Sequence, residues 1–428
     1  MSSKTKTTAT KEEATPALVP KLRFPGFTKP WVREPLSKVL KEHKLKNTDA
    51  RDVFSVSMEY GIVNQIELLG RSYAAADTSH YTVGRRYDVV YTKSPLKAFP
   101  FGIVKQCKFD GEVALSPLYG VFTPPNPHLG LMIEAYFESP NRSKDFLSPL
   151  CQKGAKNTLQ ITNTTFLSGR LPLPTQPAEQ QKIAECLSSV DELMAAQARK
   201  VDALKTHKNG LMQQLFPREG ETQPRLRFPE FQNAREWEET RLGRLGELVS
   251  GLTYSPDDVR ESGLLVLRSS NVQQGEIALN DCVYVDPSIK GANLSQPNDI
   301  LICVRNGSKA LIGKCALIPE GMPLCTHGAF MTVFRAKTPS FVFQLFQSDR
   351  YQKQVAGDLG ATINSINGGQ LLKYEFFVPK PPEQQRIASC LSSLDALITA
   401  ETQKHEALKT HKKGLMQQLF PYPEEVGA

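Results

Sequence analysis

The sequence predicts an α+β protein: two mixed α/β domains joined by two long helices that pair as an antiparallel coiled coil, in a pseudo-two-fold internal repeat. Three observations predict it. Residues 177–217 and 381–421 match at 28 of 41 positions without a gap, at an offset of 204. Apolar residues in both stretches recur at alternating spacings of four and three. Between the two stretches, short β-rich runs are broken by Gly, Pro, Asn and Asp.

In chain order, residues 1–19 are rich in Ser, Thr and Lys with no apolar stretch, and read as a solvated, disordered arm rather than a secretory signal. The first domain, 20–176, opens on PKLRFPGF (20–27), and the second, 218–380, carries PRLRFPEF (224–231) at the same offset of 204. After a slip of two residues, Trp31 corresponds to Trp237. The runs Phe54–Ser57, Asp88–Thr92, Asp299–Arg305 and Ala329–Phe334 are the strongest strand candidates. A coarse correspondence links 54–63 with 266–277, 87–94 with 298–308 and 115–122 with 326–334. A short tail, 422–428, follows the second helix.

Each repeated stretch reads as one long helix. Ile183, Leu187, Val190, Met194, Val201, Leu204, Leu211 and Leu215 form the first seam; Ile387, Leu391, Leu394, Ile398, Leu408, Leu415 and Leu419 form the second. Pro177 and Pro381, with Glu179 and Glu383 in the first turn, suit a helix start, and Pro217 and Pro421 a stop. So narrow a seam needs a partner, and the simplest is the other copy in the same chain. Either orientation fits the spacing; the antiparallel one makes the two domains pseudo-two-fold related. Lys208 and Lys412 occupy equivalent core-type positions, where the stem is expected to pack and the ammonium to stay in water. Gly210 and Gly414 recur too, at a cost of about 1 kcal/mol against Ala, which suggests close backbone approach, a kink or fraying.

Composition narrows the function. Apolar residues make up 40% and charged residues 22%, as in soluble globular proteins. No apolar run approaches the ~20 residues that span a bilayer, so no membrane partner is expected. Eight Cys include no CxxC pair and no zinc-ligand spacing, which implies reduced, mostly buried thiols in a cytoplasmic protein with no metal. Net charge is +8, and residues 1–177 alone carry +9, while 218–381 are neutral. Such a surplus suits a polyanion, or simply solubility. No catalytic motif is found. NGSKALIGKC (306–315) departs from a P-loop in spacing and has Cys315 in place of the Mg²⁺-binding Ser/Thr, so neither ATP nor any other cofactor is expected on this chain.

What remains is recognition chemistry. Arg, Lys, Ser, Asn and Tyr gather at strand ends and turns at matched places in the two domains. The candidate DNA-binding residues are Ser57, Tyr60, Arg85, Arg86, Lys93 and Lys97 in the first domain, and Arg268, Ser269, Asn271, Arg305, Asn306, Ser308 and Lys309 in the second. Arg reads guanine bidentately, Asn pairs with adenine, and Ser and Lys hold phosphates. Off the helical seams, polar identities persist where the domains have drifted apart, as two equal surfaces for two copies of one partner would require. These candidate partner-binding residues are Gln180, Gln181, Ser188, Lys205 and Gln213, with Gln384, Gln385, Ser392, Lys409 and Gln417.

The LRFP(G/E)F motif followed by Trp, the EQQ(K/R)IA…CLSS(V/L)D…LKTHK.GLMQQLFP helix and the duplicated layout together resemble the specificity subunit of type I restriction–modification enzymes, over residues 20–421. The resemblance implies two target-recognition domains, each reading one half of a bipartite, asymmetric site in double-stranded DNA. It implies helices that act as a ruler and dock two methyltransferase subunits, through which restriction subunits join. Catalysis, with S-adenosylmethionine, ATP and Mg²⁺, would then belong to the partners. A two-headed protein-binding scaffold is the competing reading of the residues alone.

Overall fold

The computed structural model describes residues 18–153, 159–359 and 364–421. The expected arm, 1–19, lies outside these except for Leu18 and Val19, and the expected tail, 422–428, lies wholly outside them. Leu18 is already held, its carbonyl accepting from the Trp31 amide at 2.9 Å.

The first copy contains β1 (Val32–Pro35), β2 (Lys41–Glu42), β3 (Val53–Ser57), β4 (Gly61–Asn64), α1 (Gln65–Leu69), β5 (Thr82–Arg85), β6 (Val89–Thr92), β7 (Ile103–Gln106), β8 (Glu112–Leu115) and β9 (Gly120–Thr123). It continues through α2 (Pro127–Phe137), α3 (Pro140–Leu147), β10 (Gln152–Lys153), β11 (Leu159–Gln160), α4 (Asn163–Ser168) and β12 (Arg170–Leu173) to α5 (Pro177–Leu215). The second copy contains β13 (Glu238–Arg241), α6 (Leu242–Leu245), β14 (Gly246–Ser250), β15 (Val259–Arg260), β16 (Leu264–Leu267), β17 (Val272–Gln273), β18 (Glu276–Ile277), β19 (Val283–Val285) and β20 (Ile300–Cys303). It closes with β21 (Cys315–Leu317), β22 (Cys325–His327), β23 (Met331–Ala336), α7 (Pro339–Leu345), α8 (Asp349–Asp358), α9 (Gly368–Leu371), β24 (Glu375–Val378) and α10 (Pro381–Leu419).

Two compact units result. Unit 1 holds the first copy through Gln197 together with α10 from Lys404 onward; unit 2 holds Ala198–Gln403. Each unit therefore contains the start of one long helix and the end of the other.

The first sheet of each unit has the same strand order, and the second shares three strands, with the fourth added at opposite edges, β5 beside β8 in unit 1 and β15 beside β19 in unit 2. In unit 1 one sheet runs β2-β9-β6-β7 and a second runs β4-β3-β8-β5; in unit 2 the sheets run β14-β23-β20-β21 and β15-β19-β16-β22. The second sheet of each unit carries one parallel pair, β3 with β8 and β16 with β22. The matched segments of the sequence take matched places: β3 with β16, β6 with β20, β9 with β23. The inner strands β6 (VVYT), β16 (LLVL) and β20 (ILIC) are buried throughout, which is why they read as unbroken apolar runs rather than alternations. Even strained detail is duplicated. Tyr87 and Asn298, directly before the buried aspartates that lead into β6 and β20, have φ of 73° and 68°. Asp88 and Asp299 each fix that turn by accepting the amide three residues back, from Arg85 and Gln296, both at 2.8 Å.

The helices pair antiparallel within each unit. In unit 1, Ile183 and Leu187 near the start of α5 share a core with Met416, Leu419 and Phe420 at the end of α10, and with Trp31 and α2. In unit 2, Met212, Leu215 and Phe216 meet Ile387, Ala388 and Leu391, with Trp237 and α7. The seam thus also packs on the domains, which adds Met212, Met416, Phe216 and Phe420 to the predicted positions. Gly210 and Gly414 need a different account from the one their recurrence suggested. The helix continues past both, and a Cβ at either would meet nothing within 4 Å, so neither fraying nor close backbone approach explains them.

Candidate nucleic-acid interface

The repeated motifs first build an anchor. In unit 1 the Arg23 guanidinium donates to both carboxylate oxygens of Glu179, at 2.7 and 2.9 Å, and the Trp31 indole donates to the same carboxylate at 3.1 Å. Unit 2 repeats the arrangement: Arg227 to Glu383 at 2.9 and 2.6 Å, and Trp237 to Glu383 at 3.3 Å. The Leu22 amide donates to the Gln418 carbonyl at 3.0 Å and the Leu226 amide to that of Gln214 at 2.9 Å. LRFP therefore clamps the start of its own copy's helix and caps the end of the other copy's. Bidentate Arg–carboxylate geometry makes the clamp strong as well as directional.

On this frame, loops gather at one end of each pair of sheets. In unit 2 the parallel strands β16 and β22 both end there, as does β20, whose Cys303 faces Met331 at the start of β23. Asn306 donates to the Ser269 hydroxyl at 3.0 Å, and the Val304 and Arg305 amides donate to the Phe330 carbonyl at 3.1 and 3.0 Å. The Asn306 amide donates to Asn364, and the Ile366 amide to Val304. Two clusters 37 residues apart in sequence, RSSN and VRNGSK, thus form one surface. Arg305, Ser308 and Lys309 are exposed on it, and Ser269 and Asn306 are half-buried. Segments 251–254, 268–271, 304–311, 328–330 and 364–366 contain Arg268, Arg305 and Lys309 and no Asp or Glu.

Two residues expected at this surface are corrected. Asn271 is fully buried: its carboxamide accepts from the Arg268 amide at 2.8 Å and donates to the carbonyls of Ala278 and Asp281 at 2.8 and 3.1 Å, so it shapes the loop and does not face a ligand. Asn271→Ala is expected to destabilise unit 2 by about 2 kcal/mol, seen as an earlier denaturation midpoint, since buried partners are left unmet. Arg268 is half-buried and pairs with Asp281 at 2.7 Å, which offsets its charge.

In unit 1 the corresponding end carries Ser57, Tyr60, Lys93 and Lys97. Tyr60, Lys93 and Lys97 are exposed, and the half-buried Ser57 hydroxyl accepts from the Tyr60 amide at 3.2 Å. Arg85 and Arg86 do not join them. They precede β6, whereas Lys93 follows it, and both are engaged by carboxylates, Arg85 with Glu112 and Arg86 with Asp110, each at 3.0 Å.

Among the helix candidates, Gln181, Gln385, Ser392, Lys205, Lys409, Gln213 and Gln417 are exposed and Ser188 is half-buried. Gln180 and Gln384 are corrections. Both are buried; Gln180 accepts from Asn126 and donates to Pro174, and Gln384 accepts from Thr338 and donates to Pro379. Their recurrence reflects the joint between the long helix and the start of α2 or α7. Gln385 and Ser392 line a groove of about 520 Å³ with Pro339, Phe341, Pro382 and Ala388. Gln213 lies in a larger one, about 880 Å³, between the end of α5 and α8. In unit 1 the end of α10 is held by Arg142, which donates to the carbonyls of Met416, Gln417 and Phe420.

The P-loop-like segment is a connection between two strands. It runs from β20 through a short 3-10 turn at Lys309–Leu311 into β21, and Cys315 is a buried strand residue whose thiol is pushed up to about 12 by burial. Among the described residues, no three His, Cys, Asp or Glu side chains converge as metal ligands, and no helix is long and apolar enough to cross a membrane.

Each unit thus holds a pair of sheets with cationic loops at one end, clamped to the start of one long helix and the end of the other. The Type I restriction modification DNA specificity domain matches residues 234–410. The chain is 26% identical over 182 residues to the type I restriction enzyme StySPI specificity subunit of Salmonella potsdam, covering 40% of this chain and 39% of that protein. It is 28% identical over 171 residues to the EcoKI specificity subunit of Escherichia coli strain K12, covering 38% and 36%. It is 26% identical over 270 residues to the MjaVIII specificity subunit of Methanocaldococcus jannaschii, covering 61% and 63%. The matched stretches thus span less than two thirds of these relatives. In fold it is similar to the S subunit of the M. genitalium type I restriction–modification system, with a TM-score of 0.60 at 12% identity over 94% of this chain and 99% of that one. A second neighbour, solved for the structural basis of complex assembly and conformational transition of the type I R-M system, gives a TM-score of 0.50 at 16% identity over 91% and 97%. Over residues 234–410 the chain matches that specificity domain, and it is similar to type I restriction–modification specificity subunits.

Proposed function

We propose that this chain is the DNA-reading subunit of a type I restriction–modification complex. Each unit contacts one half of a bipartite site through its loop end. The observation that carries this reading is the surface joined by the Asn306–Ser269 hydrogen bond, where Arg305 and Lys309 stand on segments without a carboxylate. Unit 1 offers Tyr60, Lys93 and Lys97 in that place, so the two half-sites differ in sequence. The exposed polar residues repeated on α5 and α10, from Gln181 and Gln385 to Gln213 and Gln417, dock two methyltransferase subunits, and restriction subunits join through these. The chain itself contributes recognition, while methyl transfer and cleavage, with S-adenosylmethionine, ATP and Mg²⁺, belong to the partners.

Sequencing of methylated bases in cells with and without the gene gives the site. Arg305→Ala is then expected to relax specificity in one half-site only, by about 1–3 kcal/mol if it reads a base. Lys93→Ala is expected to weaken binding to every sequence and to lower the salt slope by about one. Loss of specificity in both half-sites from Arg305→Ala contradicts the modular reading. Absence of any DNA binding by the chain with its methyltransferase favours the protein-binding scaffold.

A further inference from the structure

The parallel pair of each second sheet ends beside a short connection into the next strand, Ser116–Tyr119 in unit 1 and Gly328–Phe330 in unit 2. Strand register aligns the two connections. Tyr91 faces Gly120 where Ile302 faces Thr332, and Val89 faces Phe122 where Ile300 faces Phe334. Counting back two residues from Gly120 and from Thr332 gives Leu118 and Phe330, at the same position. Both are large apolar side chains left in water, 74% and 58% exposed. A single exposed apolar residue means little. The same exposure at the same position of two domains that have otherwise diverged asks for a cause.

Both tips are held by the scaffold. The Leu118 amide donates to the Ser116 hydroxyl at 3.3 Å, and the Tyr119 amide donates to the Ser116 carbonyl at 3.0 Å. The Phe330 carbonyl is fixed by the Val304 and Arg305 amides, and the Arg305 guanidinium carbon lies 5.7 Å from the centre of its ring. Cations stand on the connections that leave the same end of the sheets: Lys93, which feels the Glu42 carboxylate, and Lys97 after β6 in unit 1, and Arg305 and Lys309 after β20 in unit 2. An apolar tip at a cationic end of the sheets matches a duplex, whose apolar surface lies inside the stack and whose phosphates flank it.

We propose that Leu118 and Phe330 are apolar wedges, one per unit, that enter the base stack of the bound duplex and bend it. The proposal rests on the DNA-reading function above. Apolar wedges of this kind, Leu and Phe among them, partly unstack a base step and let more of the protein reach the backbone. Cations at the rim then close on the phosphates to either side.

The test uses the full chain assembled with its methyltransferase subunits on DNA carrying its methylation site. Binding is measured against salt concentration, and bending by energy transfer between end-labelled DNA termini. Phe330→Ala and Leu118→Ala are each expected to weaken specific binding about tenfold and to reduce the bend. The salt slope should stay constant, because an apolar side chain releases no counterions. Phe330→Leu should keep binding within about threefold, since Leu is also a competent wedge. Unchanged thermal melting of the free variants assigns any loss to the contact. Affinity unchanged in both alanine variants, a salt slope that falls with the substitution, or an unaltered bend each overturns the wedge. Wild-type chain that fails to bind DNA refutes the DNA-reading function itself, and the wedge with it.

Discussion

Glu383→Ala is expected to cost unit 2 about 3–5 kcal/mol, the range for removing one partner from a buried ion pair. The Glu383 side chain is 4% exposed and is the shared acceptor of Arg227 and Trp237. Its loss leaves a guanidinium only 14% exposed without its carboxylate, and an indole N–H buried with no acceptor. It also removes a negative charge from the first turn of α10, where the helix dipole favours one. At about 2–4 °C per kcal/mol for a unit of this size, the melting temperature should fall by roughly 6–20 °C. Glu383→Gln keeps the shape and one acceptor oxygen, so it should fall between wild type and Ala. Glu179→Ala should act in the same way on unit 1. Chemical denaturation followed by hydrogen exchange separates the units. A change below about 1 kcal/mol in either would show that the clamp is a surface contact of small worth.

The clamp also shows what the sequence carried and what it did not. The repeat at an offset of 204 gave the helices and the pairing of one copy with the other, because a seam of few apolar positions has to be covered. Glu179 and Glu383 were legible as first-turn acids, and Arg23 and Arg227 as parts of a repeated motif. That they meet was not legible, since they lie 156 residues apart and no periodicity links a loop to a helix start. Strand correspondences were legible because β6 and β20 are buried on both faces and so stay apolar. Strand order was not: it depends on a parallel pairing of β16 with β22, which local propensity does not encode. The candidate interface was half legible. Residue type brought forward Arg305, Lys309, Ser269 and Asn306, which do converge. It also brought forward Asn271, Gln180 and Gln384, because a polar residue that satisfies buried backbone looks in sequence like one that waits for a ligand. Leu118 and Phe330 escaped notice for the opposite reason: an apolar residue near a strand reads as core.

Lys412→Met is expected to destabilise unit 1 by about 3 kcal/mol, near the lower end for a broken buried pair. Sequence favoured an ammonium in water here, but the structure buries it. Lys412 is 13% exposed and donates to Glu138 at 2.7 Å, and it lies 2.8 Å from the Asp191 carboxylate. Lys105 reaches the same Glu138 at 2.8 Å. Burial alone would lower the Lys412 pKa, but Glu138 and Asp191 more than reverse that and hold it above its ordinary value. Burial alone would raise the Glu138 pKa, but Lys105 and Lys412 reverse that and hold it below the usual carboxylate range. The signs bound a pH window. A lowered Glu138 stabilises the fold above its unfolded pKa of about 4.3, and that stability is lost as pH falls through the folded value. A raised Lys412 stabilises it below its unfolded pKa of about 10.4, and that stability is lost as pH rises through the folded value. Glu138→Gln should therefore flatten the acid limb of the unit 1 stability profile and leave the neutral plateau lower. Lys412→Met should lower the plateau and flatten the alkaline limb. The equivalent Lys208 bonds to Asp395 and to the neutral Gln347, each at 2.6 Å, so Lys208→Met strands one carboxylate, 36% exposed, and should cost about 1–2 kcal/mol. Equal losses at the two lysines would mean that Glu138 contributes nothing to the pairing and that the shared Lys–Asp contact between the helices carries all of it.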